Sequence, residues 1–84
     1  MGESMRDHVE KLGRHGAYVK TLAGKRPLSG AFYDSVIRLC EQYGINCIGY
    51  EIELPGVDHA MIAIWRNGHV DSGSADNIRA IMNQ

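Results

Sequence analysis

Apolar positions recur at helical spacing in the first half of the chain and at strand spacing in the second. Met5, Val9 and Leu12 fall three and four residues apart, and Val19 and Leu22 continue the series. Gly13 and Gly16 interrupt it, so residues 1–26 read as a helical N-terminal extension, either one weak helix or two short ones. Gly24-Lys25-Arg26-Pro27 reads as a basic linker, because proline biases the residue before it away from helix. The clearest helix follows. Phe32, Val36, Leu39, Cys40 and Tyr43 lie at i, i+4, i+7, i+8 and i+11, one apolar stripe with Ser29 at its N-cap and Gly44 at its stop.

Beyond Gly44 the period changes to two. Ile48, Tyr50, Ile52 and Leu54 alternate with Gly49, Glu51 and Glu53, the pattern of a strand with one wet face. Pro55-Gly56-Val57-Asp58 forms a turn. His59 to Trp65 is almost wholly apolar, as in a central strand covered on both faces. Asn67-Gly68 signals a hairpin leading to a short third strand from His69 to Ser72. Ser74 then caps a final helix carrying Ile78, Ile81 and Met82. The expected fold is α+β, with N-terminal helices packed on a three-stranded antiparallel sheet and a C-terminal helix. It forms a single domain over residues 1–84, in which residues 27–84 hold the helix, the sheet and the last helix.

Composition narrows the function classes. The formal net charge is −1, which gives no basic footprint for nucleic acid. No apolar run is long enough to span a bilayer, and Met1 to Gly13 is charged where a signal peptide would be apolar. Cys40 and Cys47 are too few for a disulfide framework and show no metal-ligand spacing, so both are expected to be reduced and buried. No metal or cofactor is expected. His8, His15 and His69 read as surface residues, and Phe32 and Trp65 as core.

One constellation carries chemistry. A nucleophile at a helix N-terminus gains from the unpaired amides and the helix dipole. Its general base must then come from a strand packed against that helix, oriented by a third polar group. Ser29 opens the amphipathic helix and His59 opens the apolar strand. Asp71 and Asp76 lie downstream. A two-residue Asn67-Gly68 turn sets His59 opposite Asp76. A three-residue Arg66-Asn67-Gly68 turn instead brings Asp71 to the His59 face, four residues along.

The stretch Ser29-Gly30-Ala31-Phe32-Tyr33 through Leu39-Cys40-Glu41-Gln42-Tyr43-Gly44-Ile45 resembles the nucleophile helix of transglutaminase-like proteins. His59-Ala60-Met61-Ile62-Ala63-Ile64-Trp65 with Asn67-Gly68 resembles that family's His-Ala-Trp strand and hairpin. The papain-like plan, shared with NlpC/P60 amidases and papain-fold bacterial toxins, covers residues 29–74. The resemblance implies a cysteine hydrolase or acyl-transfer domain of the peptidase, amidase or transglutaminase class, like those in toxin or effector modules. It implies a protein or peptide substrate and an immunity or inhibitor protein as partner. The location it implies is the cytoplasm, or delivery as part of a larger secreted protein. It assigns Ser29 as nucleophile position, His59 as base and Asp71 as third member, with Asp76 the geometric rival. Serine at the thiol position implies an inactivated variant or a pseudoenzyme.

A second resemblance starts at Val36. Helix, three strands and helix is the order of a double-stranded-RNA-binding domain, and Gly44-Ile45, Gly56-Val57-Asp58-His59 and Gly73-Ser74 are similar to its landmarks. The lysines that open that family's last helix are replaced by Ala75, Asp76 and Asn77. This resemblance implies a non-catalytic binding module, and a small immunity protein without chemistry stands beside it.

Overall fold

A computed structural model describes residues 4–72. The expected C-terminal helix, its cap Ser74 and the rival acid Asp76 lie outside the described residues.

The first helix, α1 (Met5–Arg14), starts at a reciprocal cap. Ser4 Oγ accepts the Asp7 N–H and the Asp7 carboxylate accepts the Ser4 N–H. Val9 and Leu12 are fully buried. The helix stops where glycine loosens it. Gly16 has φ 90°, and the Ala17 N–H turns back to the Leu12 carbonyl.

The next segment corrects the sequence reading. Residues 18–27 form neither a second helix nor a linker but a hairpin, β1 (Tyr18–Thr21) and β2 (Gly24–Pro27). Val19 sits at helical spacing from Leu12, yet it is buried as the inward residue of a four-residue strand. Leu22, expected on the same stripe, is fully exposed at the turn. Two local devices close that turn. Gly24 has φ 108°, and Thr21 Oγ1 donates to the Gly24 carbonyl while accepting the Ala23 N–H.

The second helix, α2 (Gly30–Tyr43), matches expectation at both ends, with Ser29 as N-cap and Gly44 in left-handed conformation at φ 64°. It buries Phe32, Tyr33, Val36 and Cys40, whereas Leu39 and Tyr43 face solvent. Three strands follow: β3 (Cys47–Leu54), β4 (Val57–Trp65) and β5 (Val70–Ser72).

All neighbours pair antiparallel in the order β2-β1-β3-β4-β5. Among the described residues the sheet therefore has five strands rather than the expected three, because β1 adds to β3 through Tyr18 opposite Glu53 and Val19 opposite Ile52. The helices supply one covering layer. α2 packs on β3 and β4, and α1 on α2. Val19, Ile52, Leu54, Ala60, Ile62, Ile64 and Val70 are buried with the helix stripes in one core. Removing these side chains from water is the main driving force for the arrangement. In β4 the alternate residues Met61 and Trp65 are 47% and 36% exposed. Among the described residues the strand is thus covered on one side, and Trp65 is part-exposed rather than core. The run is continuous in hydrophobicity because Ala63 and Met61 are apolar residues that tolerate a face no other described element covers.

Candidate functional site

Ser29 follows directly from the β1–β2 hairpin. The Leu28 N–H bonds the Ala17 carbonyl, which ties the chain to the sheet one residue before the cap. Ser29 has extended backbone at φ −158°. Its Oγ accepts the Phe32 N–H at 3.1 Å, and its carbonyl accepts the Tyr33 N–H at 3.0 Å. Those bonds satisfy two of the first four helical amides. The amides of Gly30 and Ala31 are the two without a helical acceptor. Two clefts open beside Ser29. One, about 340 Å³, is lined by Glu10, Gly13, Arg14 and Leu28; the other, about 230 Å³, by Arg26, Pro27, Ala31, Phe32 and Ser35.

Strand register relates this helix start to His59. Pro27 pairs with Tyr18, and Tyr18 with Glu53. On β4 the partner of Glu53 falls in an irregular step. Ile52 pairs with Ala60 but Leu54 pairs with Val57, so Asp58 and His59 together face the single residue Glu53. Pro27 and His59 thus lie on one line across four strands, about 14 Å apart in backbone spacing. Ser29 begins α2 two residues past Pro27, from the end of the sheet that carries His59.

Asp71 lies elsewhere. The β4–β5 turn is three residues long: the Trp65 N–H bonds the His69 carbonyl and the Gly68 N–H bonds the Trp65 carbonyl. Asp71 then pairs with Ala63, four residues or about 13 Å of strand from His59. Its carboxylate is engaged locally. Oδ1 lies 2.8 Å from His69 Nε2, and Oδ2 accepts the Trp65 indole N–H at 3.0 Å. The structure brings Asp71 to His69 and Trp65. His69, read from sequence as a surface residue, is exposed and takes Asp71 as its partner. The signal was present: the strand expected over His69 to Ser72 puts residues 69 and 71 two apart on one face.

The same hairpin carries polar groups that sequence reasoning missed. Arg66 Nη2 donates to Asn46 Oδ1 at 2.8 Å, and the Arg66 N–H bonds the Asn46 carbonyl at 2.8 Å. Tyr33 donates its hydroxyl to the Gly68 carbonyl at 2.7 Å, bridging α2 to the turn. Burial pushes the Tyr33 hydroxyl above its ordinary pKa, with the Asp34 charge adding to the shift, so it stays a donor.

Both cysteines are free. Cys40 is fully buried in the α2 stripe, whereas Cys47 is half-buried rather than buried as expected. Desolvation raises the Cys47 pKa and keeps the thiol protonated. Among the described residues no cluster of His, Cys, Asp and Glu has metal-binding geometry, and no helix is long and apolar enough to cross a membrane.

Comparison with protein-family models, with curated proteins and with solved structures returns no match. The functional reading rests on the residues and their geometry.

Proposed function

We propose that the N-terminus of α2 is an acyl-binding site of papain-like or transglutaminase-like plan, with serine at the nucleophile position. The observation that carries this reading is Ser29 itself. It caps a helix laid on an antiparallel sheet, it lies between two clefts, and the amides of Gly30 and Ala31 beside it lack helical acceptors. A substrate carbonyl oxygen is stabilised by such amides and by the helix dipole. Arg26, which lines the same cleft, adds positive charge where an anionic nucleophile would form.

With a thiol at position 29 the step is acyl transfer. The thiol gives its proton to His59 and its sulfur bonds to the carbonyl carbon, the oxyanion rests on the amides, and the bond to the leaving group breaks as His59 passes that proton to it. With serine, the hydroxyl keeps its proton and the chain binds an acyl group without efficient turnover. A peptide, a glutamine side chain or a peptidoglycan amide fits this chemistry, in a hydrolase or a toxin-type effector alike. The third member of the set is better sought outside Asp71, whose carboxylate serves His69 and Trp65.

The test is a gain of reactivity. Ser29→Cys should react with iodoacetamide near neutral pH faster than Cys40 or Cys47, which are buried and half-buried thiols. His59→Ala should slow that labelling markedly, and His69→Ala should not. A thiol at position 29 that labels no faster than one in an unfolded chain, and ignores His59, would reduce the site to a helix cap.

A second reading has its own support. A non-catalytic binding or immunity module needs no nucleophile, and Ser29 Oγ already serves the Phe32 amide. Such a module would bind through the open sheet face and the β4–β5 hairpin.

A further inference from the structure

The β4–β5 hairpin forms a second cleft system that owes nothing to Ser29. Trp65, Arg66, Asn67 and Asn46 line a cleft of about 230 Å³. We propose that this cleft recognises a carboxylate on an acidic peptide segment of a protein partner.

Charge is the first argument. Arg66 presents five N–H donors in a planar fork. The hydrogen bond to Asn46 Oδ1 uses one of them and neutralises nothing. Among the described residues no carboxylate pairs with Arg66, nor with Arg14, Arg26 or Arg38, but Arg66 alone of these four lines the cleft beside Trp65, whereas Arg6, Lys20 and Lys25 are matched to Asp34 and Glu10, Glu51, and Glu53. A planar carboxylate accepts two parallel bonds from the remaining fork. A phosphate would call for more cations than the cleft offers.

Preorganisation is the second argument. Trp65 is 36% exposed, yet its indole N–H is fixed to Asp71, and Asp71 is fixed to His69. Arg66 is clamped to Asn46 by both main chain and side chain. Asn67 Oδ1 accepts the His69 N–H at 3.0 Å, which orients its amide and leaves the side-chain NH2 to donate. The turn is pinned to α2 through Tyr33. Side chains already ordered lose little freedom on binding, and an exposed tryptophan beside an arginine is the composition of an interface anchor. Met61, 47% exposed on the same open face of β4, supplies apolar surface for a neighbouring side chain.

Trp65 is the one tryptophan in the chain, so its emission reports the cleft directly. The full chain is titrated with a blocked peptide of alternating glutamate and leucine, with the same peptide carrying glutamine, and with inorganic phosphate. The glutamate peptide should give a saturable change in emission and the glutamine peptide none. Arg66→Gln should weaken binding about tenfold, the scale of one charge-assisted hydrogen bond. Added salt should weaken it further. The proposal fails if the glutamine peptide binds as well, or if Arg66→Gln is without effect. It also fails if phosphate saturates the cleft at lower concentration than the peptide, or if no saturation appears by about 10 mM.

Discussion

The two ends of the sheet use their polar groups differently. At the end near Ser29 the fold consumes the side-chain oxygen and leaves over only the Gly30 and Ala31 amides: Ser29 Oγ and carbonyl close the first turn of α2, and the Leu28 N–H closes onto Ala17. At the Trp65 end, Asp71 takes the one indole donor and Asn46 one arginine donor, which leaves the exposed indole ring and the remaining arginine N–H groups for a ligand. A polar side chain at the first end is explained by folding before any ligand is considered. At the second, the bonds arrange surface groups that contribute little to folding, since exposed pairs are worth little. The difference teaches where to look for function: at donors left over after the backbone is satisfied.

The sharpest way to break the comparison is at Gly13. A Cβ there would collide with the Leu28 carbonyl, because α1 crosses the chain just before Ser29 at glycine distance. Gly13→Ala should cost about 3 kcal/mol in chemical denaturation, the scale of overpacking against rigid backbone. The α2 cap would loosen with it. An unchanged denaturation midpoint would show that the Ser29 end is not held as tightly as described.

Ser29→Ala comes next. Losing the acceptor for the Phe32 amide should cost about 1 kcal/mol, as at other N-caps. Tyr33→Phe should cost about the same, by leaving the Gly68 carbonyl without its donor. The two should be separable by amide exchange. Ser29→Ala exposes the start of α2, and Tyr33→Phe exposes the hairpin turn.

Asp71→Asn should barely change stability, by less than about 0.5 kcal/mol, because its pairs are exposed. It should nevertheless shift the Trp65 emission by loosening the indole. A large loss of stability with unchanged emission would reverse the assignment of the two ends.

The smallest effect is one of pH. Lys25 holds the Glu53 carboxyl below its ordinary value of 4.5 by a hydrogen bond and by its charge. That pairing contributes above pH 4.5 and is lost as pH falls through the depressed folded value. Lys25→Ala should therefore slightly reduce the slope of stability against pH below 4.5, with no change in slope near neutrality.

The sequence made some of this architecture legible and hid the rest for physical reasons. Both ends of α2 were readable because Ser29 and Gly44 do one job each, capping and stopping. The alternation of β3 was readable because eight residues suffice to show a period. β1 and β2 were not, since four-residue strands show no period and Val19 and Leu22 happen to sit at helical intervals from Leu12. The open face of β4 was hidden by Met61 and Ala63, apolar residues that the pattern counts as buried. At the candidate sites, Ser29 followed from cap chemistry. The Trp65–Asp71–His69 set depended on the length of one turn, three residues rather than two, which Asn67-Gly68 alone left open.

The edge strand β2 carries one more consequence. Its four residues, Gly24-Lys25-Arg26-Pro27, are all exposed. Proline offers no N–H to an incoming strand, Arg26 carries a charge that no described carboxylate pairs with and so repels a second copy, and glycine at φ 108° departs from the pleat. This border of the sheet is therefore closed to growth by strand addition. Concentrated solutions of the folded chain should resist fibril formation from this side, and replacing Lys25 and Arg26 with threonine should make the edge adhesive.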